Sequence, residues 1–254
     1  MAKLRRFSVQ SLEHAQVGAS FLLPPDESRH VHVLRLKPGS ELEAVDASGR
    51  CVRAVIVDDT ATGVSVRVLS VEASSEKGAE TRLILGVAWP KGKRAAVLVE
   101  KCAELGVDEI VPVLFDRGVV SKDDESEGLV RLRRIAAEAC KQSRRRDALA
   151  ISAEMTLPDF LTRCLSAGPV LLMDPYADLH LVDFVVKMPK AMVSLALLIG
   201  PEGGMTAGEI EQSQTAGAVL VKMAEHVLRI ETAAIAAAAV CKGILASKAS
   251  QVLV

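Results

Sequence analysis

The sequence predicts an α/β protein in which a small β-rich unit precedes a mostly parallel sheet. Short β-branched and aliphatic runs fill residues 1–72, whereas strand-like and helix-like segments alternate from residue 81 onward. The chain has 254 residues, 50% of them hydrophobic and 25% charged, which suits one large or two modest globular domains. Because aromatic residues make up only 3%, Val, Leu, Ile and Ala must build the core.

Residues 1–73 are predicted to form a small β-barrel domain. Its strand-like segments, separated by turn signals, are Ser20–Leu23, Glu41–Val45, Cys51–Val57 and Val64–Leu69. A short helix is expected at Glu27–Val33, with Asp26 as its N-cap. The polar segment 74–79 is the candidate linker to the second domain.

Residues 74–254 are predicted to form a domain with a parallel sheet, since strands and helices alternate there. The expected buried strands are 82–87, 109–114, 170–173, 195–199 and 218–221. The expected helices are 93–105, ended by Gly106, a basic helix at 129–145, and a helix within 155–165 that starts at Thr156 or Leu157-Pro158.

Two loops at strand ends carry the strongest functional signal, and the first is Gly200-Pro-Glu-Gly-Gly204. Its glycines permit unusual backbone angles and let a ligand touch the main chain, and ligands of α/β sheets sit beyond the carboxyl ends of strands. Thr206 and Glu209 form a capping box for the next helix. An ordinary strand-to-helix turn is the alternative, but such a turn does not need Glu202 between glycines.

The second loop is Val227-Leu-Arg-Ile-Glu-Thr232. Arg229 and Glu231 are two residues apart, so they share a face if the segment is extended. Thr232 is expected to cap a helix of small residues at 233–241. A structural Arg–Glu pair would explain the same pattern, but its place at a strand end beside a glycine loop favours a functional site.

Composition argues against secreted, membrane-spanning and metal-binding classes. The five cysteines form no C-x-x-C pair and have no His at metal spacing, which predicts reduced thiols in a cytoplasmic protein and no metal site. Residues 1–7 are charged but lead into no apolar segment, so no signal peptide is expected. No apolar run is expected to span a bilayer, because the alanine helix at 233–241 is too short.

The net charge is only −1, so the distribution of charge matters more than its sum. Seven basic residues lie between 131 and 146: Arg131, Arg133, Arg134, Lys141, Arg144, Arg145 and Arg146. At helical spacing, Arg131, Arg134, Lys141 and Arg145 fall roughly on one side. This stripe is either a solvated helix face or a phosphate-binding surface, and the terminal arginines would also complement a helix C-terminus.

The segments 198–204 and 228–233, at this separation, resemble the ribosomal RNA small subunit methyltransferase E family. That family belongs to the SPOUT class of S-adenosylmethionine-dependent RNA methyltransferases. The earlier segments that match in order are Arg5-Arg-Phe7, His32-Val-Leu-Arg35, Lys91, Lys101–Gly106 and Gln142–Arg145. The resemblance implies a SPOUT domain with a trefoil knot after a PUA-like RNA-binding barrel, and a homodimer.

The resemblance also implies the reaction, which is methylation of N3 of a specific uridine in 16S ribosomal RNA, on the assembled small subunit. S-adenosyl-L-methionine is the implied cofactor, and no metal is required. Because the N3 proton must leave, a base or an anion-stabilising cation is needed, and the candidates are Arg229, Glu231 and Glu202. Arg229 with Glu231 is the preferred pair, since the two lie together in the sequence.

The resemblance implies two further sets of residues. The expected cofactor-binding residues are Leu172, Leu198, Ile199, Gly200, Pro201, Glu202, Gly203, Gly204, Lys222, Met223, Ala224, Val227, Leu228 and Thr232. The expected RNA-binding residues are Arg5, Arg6, Arg35, Lys91, Arg131, Arg134 and Arg145.

The chain departs from the family pattern at Met223-Ala-Glu-His226, where Leu-Gly-x-Arg is common, and at Leu132, where Trp is common. Ala224 would be strained if it needed a positive φ, and a neutral His226 would lack the permanent charge of an arginine. Two other functions therefore stay open: a SPOUT enzyme with another RNA target or atom, such as a ribose 2′-oxygen, or a degenerate RNA-binding protein. A nucleotide-binding oxidoreductase is disfavoured, since the first loop lacks G-x-G-x-x-G.

Overall fold

The computed structural model describes residues 4–46, 50–60, 63–72, 81–118, 125–143, 145, 147–189 and 192–250. The chain divides into two compact units, one of Met1–Lys77 with Cys140–Ala148 and one of Gly78–Ala139 with Leu149–Val254. The candidate linker at 74–79 lies outside the described residues. The predicted domains 1–73 and 74–254 did not anticipate that the segment after the basic helix joins the first unit.

The first unit contains a five-stranded sheet and one helix. Its elements are β1 (Arg5–Ser8), β2 (Ser20–Leu22), α1 (Pro25–Val33), β3 (Glu41–Val45), β4 (Cys51–Thr60) and β5 (Gly63–Glu72). The strand order is β1-β3-β4-β5-β2, in which β1 and β3 are parallel and the other pairs antiparallel. Alternate strand residues point into a core that includes Phe7, Leu42 and Ile56. The PUA-like barrel stays a prediction.

The predicted N-cap of α1 is wrong. Pro24 occupies the N-cap position and no side chain caps the helix, while Asp26 lies in the first turn. Pro25 at the first helical position needs no hydrogen-bond partner for its nitrogen, and the Asp26 carboxylate complements the positive end of the helix dipole.

The second unit contains the parallel sheet. Its elements are β6 (Arg82–Val87), α2 (Lys93–Leu105), β7 (Glu109–Leu114), α3 (Glu125–Gln142), β8 (Ala150–Ile151), β9 (Met155–Thr156), α4 (Leu157–Leu165), β10 (Val170–Met173), α5 (Leu181–Lys187), β11 (Ser194–Ile199), α6 (Ala207–Ala216), β12 (Val219–Val221) and α7 (Ile230–Ser250). The strand order is β12-β10-β11-β6-β7-β8, with β9 also paired to β7, and every recorded pair is parallel.

The central strands have the sequence expected of a sheet covered on both faces. All six residues of β11 are buried, as are five of the six in β6. Helix α4 approaches β6 so closely that a Cβ on Gly86 would stand 2.5 Å from the Phe160 ring. Thr156 accepts a hydrogen bond from the Asp159 amide as the N-cap of α4, and Gly106 ends α2 with φ 86°, both as predicted.

Besides α1, which starts at Pro25 and not at Glu27, two longer helices differ from their predicted bounds. Helix α3 ends at Gln142, so Arg145, predicted on the same helical stripe as Arg131, lies beyond its end. Helix α7 begins at Ile230, so Thr232 is in its first turn and is not the N-cap. After its first two residues, which are also buried, the buried residues of α7 follow helical spacing and are Ala234, Ala237, Ala238 and Cys241.

The prediction that no segment is long and apolar enough to span a membrane is also wrong. Helix α7 runs well beyond residue 241, and its stretch Ile230–Ala249 meets the length and composition of a membrane span, with 33% of it buried. It packs against α2, α5, β6 and β11, and the Lys248 ammonium donates to the Val185 and Met188 carbonyls at 2.7 and 2.6 Å. The buried residues of α7 form a face of small side chains that packs against this sheet and these helices.

The five cysteines are free thiols and all are buried. Burial raises the pKa of Cys102 and of Cys241 to about 12, and that of Cys164 to about 11. These three side chains therefore stay protonated near neutral pH and act as small apolar groups.

Candidate functional site

A cavity of about 410 Å³ lies at the carboxyl ends of the adjacent strands β12, β10 and β11. Three chain segments that leave these strands form its wall, together with Arg117 after β7. The lining residues are Arg117, Met173, Asp174, Pro175, Tyr176, Ile199, Gly200, Pro201, Glu202, Gly203, Gly204, Met205, Ile210, Met223, Ala224, His226, Val227, Leu228, Ile230 and Ala233. Ligand sites of small molecules are typically of about 300–1,000 Å³ and lie at such strand ends.

The first predicted loop supplies the cavity wall after β11, and two of its three glycines are required for different reasons. Gly204 has φ 71°, a conformation that side chains disfavour, and its amide donates to the Pro201 carbonyl at 2.9 Å. A Cβ on Gly200 would lie 2.7 Å from the Met205 Cγ, so Gly200 is needed for space. Neither reason holds for Gly203, where a Cβ would make ordinary contacts at 3.8 Å with Arg117.

The capping box predicted at Thr206 and Glu209 is present and does more than start α6. Glu209 is only 6% exposed, and its carboxylate accepts hydrogen bonds from the Thr206 amide at 2.7 Å and the Asp116 amide at 2.8 Å. The Arg117 guanidinium donates to the Gly203 carbonyl at 3.1 Å. The loop after β7 is thereby tied to the glycine loop at two points, which holds the cavity wall in place.

The second predicted loop has a different geometry from the expected extended one. Lys222 is already paired through its backbone, because its amide donates to Leu179 and its carbonyl accepts from Leu181, both at 2.8 Å. The Arg229 carbonyl accepts from the Ala233 amide at 2.8 Å as α7 begins. Arg229 and Glu231 therefore do not share the face of a strand. Ala224 is not among the residues with positive φ, so the strain considered for it is absent.

The predicted catalytic residues occupy three different environments. Glu202 lines the cavity, and its carboxylate is paired with the Arg94 guanidinium at the start of α2. Arg229 lies just outside the lining, and its side chain has no ion pair with any residue that the structure describes. Glu231 is 9% exposed, and its buried Oε2 lacks a hydrogen-bond partner within the described part of the chain.

Ten of the fourteen predicted cofactor residues line the cavity, namely Ile199, Gly200, Pro201, Glu202, Gly203, Gly204, Met223, Ala224, Val227 and Leu228. Four others do not. Leu172 and Leu198 are register partners within the sheet and fully buried, Lys222 has its backbone paired, and Thr232 is exposed on α7. The main-chain loops thus lie in the cavity wall, whereas two strand interiors and one helical turn lie outside it, and the cofactor-binding role of all these residues stays a prediction.

Sequence reasoning missed the cavity wall after β10. Asp174 follows that strand, its amide donates to the Val221 carbonyl at 3.0 Å, and its Oδ1 accepts from the Tyr176 amide at 2.7 Å. The Asp174-Pro175 pair at the end of a predicted strand was a usable turn signal. Arg117 was missed as well, and only its hydrogen bond to the glycine loop marks it.

The predicted RNA-binding residues are distributed over both units. Arg5 and Arg35 belong to the first unit, and Arg35 has φ 54°. The Arg6 side chain is only 12% exposed because it pairs with Glu43 at 2.8 Å, and it also donates to the Arg145 carbonyl at 3.5 Å. In the second unit, the predicted RNA-binding residues Lys91, Arg131 and Arg134 are exposed. Arg6 is thus bound to a carboxylate, whereas most of the others face solvent.

The described residues contain no group of three or more His, Cys, Asp or Glu side chains with metal-binding geometry. The cavity wall is instead built from glycine and proline backbone and from apolar side chains such as Met173, Ile199 and Leu228. Such a wall suits an organic ligand that is recognised through main-chain groups.

Comparisons with known proteins identify relatives over nearly the whole chain. A family model described as an RNA methyltransferase domain matches residues 77–242. Ribosomal RNA small subunit methyltransferase E of Mycobacterium bovis is 31% identical over 238 residues, which cover 91% of this chain and 88% of that protein. The protein of the same name from Bacillus subtilis is 24% identical over 241 residues, covering 90% and 92%.

Solved structures of relatives carry a ligand, and one of them has the same name as the two relatives above. Ribosomal RNA small subunit methyltransferase E from Neisseria gonorrhoeae, bound to S-adenosyl methionine, is 26% identical and has a TM-score of 0.79. The similarity covers 93% of this chain and 96% of that one, so it extends over nearly the whole of both chains.

Proposed function

We propose that this chain, which belongs to the RNA methyltransferase family of ribosomal RNA small subunit methyltransferase E, methylates N3 of one uridine in 16S ribosomal RNA. The family predicted from the two loop motifs is confirmed, and the parallel α/β sheet agrees with the SPOUT class. The cofactor prediction is confirmed at the level of the family, because a solved relative holds S-adenosyl methionine. The assembled small subunit is the proposed substrate, in the cytoplasm.

The observation that carries the proposal is the cavity at the ends of β10, β11 and β12. Its glycine loop leaves no side chain between a ligand and the backbone at Gly203 and Gly204, and the rest of the lining combines apolar side chains with polar ones such as Asp174. The residues present therefore fit a bent organic cofactor with an adenine ring, a ribose and a polar tail.

When bound, S-adenosylmethionine supplies a methyl group from its positively charged sulfur. The bond between sulfur and the methyl group breaks as the bond between the methyl group and uracil N3 forms. The chain must deal with the N3 proton, since neutral uracil has no free in-plane lone pair at that atom. A side chain must either accept this proton or stabilise the uracil anion that remains.

Among the three candidates, Glu202 is the carboxylate in the cavity wall, so we assign the proton acceptance to it. Arg94 holds the Glu202 carboxylate through an ion pair between exposed side chains. Arg229 is a cation beside the lining residue Leu228, and we assign to it the stabilisation of negative charge on uracil or phosphate. Glu231 stays the alternative base.

The experiment that tests the proposal uses the purified protein, labelled S-adenosylmethionine and small ribosomal subunits that lack the modification. Digestion and mass-resolved nucleoside analysis should find 3-methyluridine at one site. Label on a ribose or on another base would retain an RNA methyltransferase but refute the uridine-N3 assignment. No label together with no cofactor binding would support the degenerate RNA-binding alternative.

Two matched variants separate the candidate bases. Glu202→Gln should lower kcat by about 100-fold or more, the range typical of a lost general base, with an unchanged dissociation constant for the cofactor. If Glu231→Gln lowers kcat instead, then Glu231 is the base and the Glu202 assignment is wrong. Glu100→Gln, on an exposed part of α2, serves as the control and should leave kcat unchanged.

A further inference from the structure

The rim of the cavity carries the single tyrosine of this chain. That residue, Tyr176, lines the cavity, and it is 88% exposed. It is more exposed than any other large apolar side chain among the described residues. An aromatic ring so far out of the core contributes little to folding, because it gains almost no burial.

The backbone that carries Tyr176 is held firmly in place. Its amide donates to Asp174 Oδ1 at 2.7 Å, and the Asp174 amide donates to the Val221 carbonyl of β12 at 3.0 Å. The Ala177 amide closes the turn on the Asp174 carbonyl at 3.3 Å. The ring is therefore exposed on a short turn that is anchored to two strands, which is the arrangement of a contact residue whose position is defined before the partner arrives.

The residues that line the cavity indicate which class of ligand the Tyr176 ring can contact. Within the lining that the structure describes, Tyr176 is the one Phe, Tyr or Trp side chain, and the other apolar residues are aliphatic or Met. Proteins that act on a single base in RNA hold the unstacked base against an aromatic side chain, which replaces the lost stacking. The exposed ring at the rim of the cavity suits a ligand that enters from solvent.

We propose that Tyr176 is the stacking platform that holds the target nucleobase at the mouth of the cavity. This inference rests on the proposed function, since it needs an RNA base as the second ligand. Tyr176 thereby positions the base for the residues that handle the N3 proton, and the flat π-face of the ring, not its hydroxyl, makes the contact.

The test compares Tyr176→Ala, Tyr176→Phe and Tyr176→Leu with the wild type. The readouts are the KM for unmodified small subunits, kcat, and the dissociation constant for S-adenosylmethionine measured by calorimetry. Stacking on one base corresponds to a KM increase of about 10-fold or more for Tyr176→Ala. Tyr176→Phe should keep the wild-type KM, Tyr176→Leu should resemble the Ala variant, and cofactor affinity should stay within about twofold, because it does not depend on this contact.

Val193→Ala is the control, since Val193 is 68% exposed, precedes β11 and does not line the cavity. Val193→Ala should leave the KM for subunits and the dissociation constant for S-adenosylmethionine unchanged. Weaker cofactor binding by Tyr176→Ala with an unchanged KM for subunits would overturn the inference and make Tyr176 a cover for the cofactor. Wild-type values in Tyr176→Ala would overturn it too, while the proposed function would stand. A wild type that methylates no subunit would remove the proposed function, and this inference with it.

Discussion

At the scale of single residues, Gly204 and Gly208 lie four positions apart and should respond oppositely to an added methyl group. Gly204 has φ 71°, whereas Gly208 is exposed within α6, where an added Cβ would meet no atom within 4 Å. We expect Gly204→Ala to cost about 1 kcal/mol of unfolding free energy through strain, and Gly208→Ala to add about 0.5–1 kcal/mol through helix propensity.

Urea denaturation of the two variants and the wild type measures these changes. Because Gly204 lines the cavity, calorimetry should also show weaker cofactor binding for Gly204→Ala and none of this effect for Gly208→Ala. Equal stability changes in the two variants would mean that the positive φ of Gly204 carries no strain.

At the scale of elements, the capping box of α6 links helix formation to the site. Glu209 is buried and accepts hydrogen bonds from the amides of Thr206 and Asp116. Glu209→Ala leaves these donors without their acceptor, so it should lower the unfolding free energy by roughly 2–3 kcal/mol. It should also weaken cofactor binding, because the glycine loop loses its anchor. Glu211→Ala, on the exposed face of the same helix, should change neither quantity.

A second element-scale prediction concerns Glu109 at the start of β7, which accepts two hydrogen bonds from Arg163 of α4 at 2.7 and 2.6 Å. Burial alone raises the pKa of Glu109, but the hydrogen bonds from Arg163 and Ser152 outweigh it, so the net pKa is lowered. A lowered pKa in the folded state stabilises the fold above the pKa of the unfolded chain, and this stability is lost as the pH falls through the folded value.

Glu109→Gln should therefore lower the unfolding free energy at pH 7 by roughly 1–3 kcal/mol, a range reduced because Arg163 is partly exposed. The difference from the wild type should shrink below about pH 4, near the pKa of an unfolded glutamate. Glu138→Gln removes an exposed ion pair with Arg134 at 3.7 Å and should have little effect at either pH. A pH-independent difference would show that the charge of Glu109 is not what stabilises the contact.

At the scale of the whole molecule, the homodimer stays a prediction. Helix α5 exposes Val182 and Val186 by 46% and 55%, one helical turn apart. Light scattering should give about twice the chain mass of 27.0 kDa, and Val186→Asp should shift the protein toward the monomer if this face is in the interface. A monomeric wild type at micromolar concentration would refute the dimer, and a dimeric Val186→Asp would place the interface elsewhere.

The local sequence was enough to predict many elements of this protein. The bounds of β6, α2, β7 and β10 agree with the predicted ones, because buried parallel strands are continuous apolar runs and Gly106 ends its helix through a positive φ. The two loop motifs predicted part of the cavity wall, since glycine-rich turns after strands depend on residues close together in the chain.

Tertiary structure decided what depends on residues far apart in the chain. Helix α7 starts at Ile230 and so separates Arg229 from the buried Glu231, although the local pattern suggested an extended pair. The strand order places β10 between β12 and β11, which adds Asp174 and Tyr176 to the site. The hydrophobic pattern within each strand does not indicate which strands are adjacent. Local sequence determines which conformation a segment prefers, but packing determines which segments meet, because burial is gained only when distant surfaces come together.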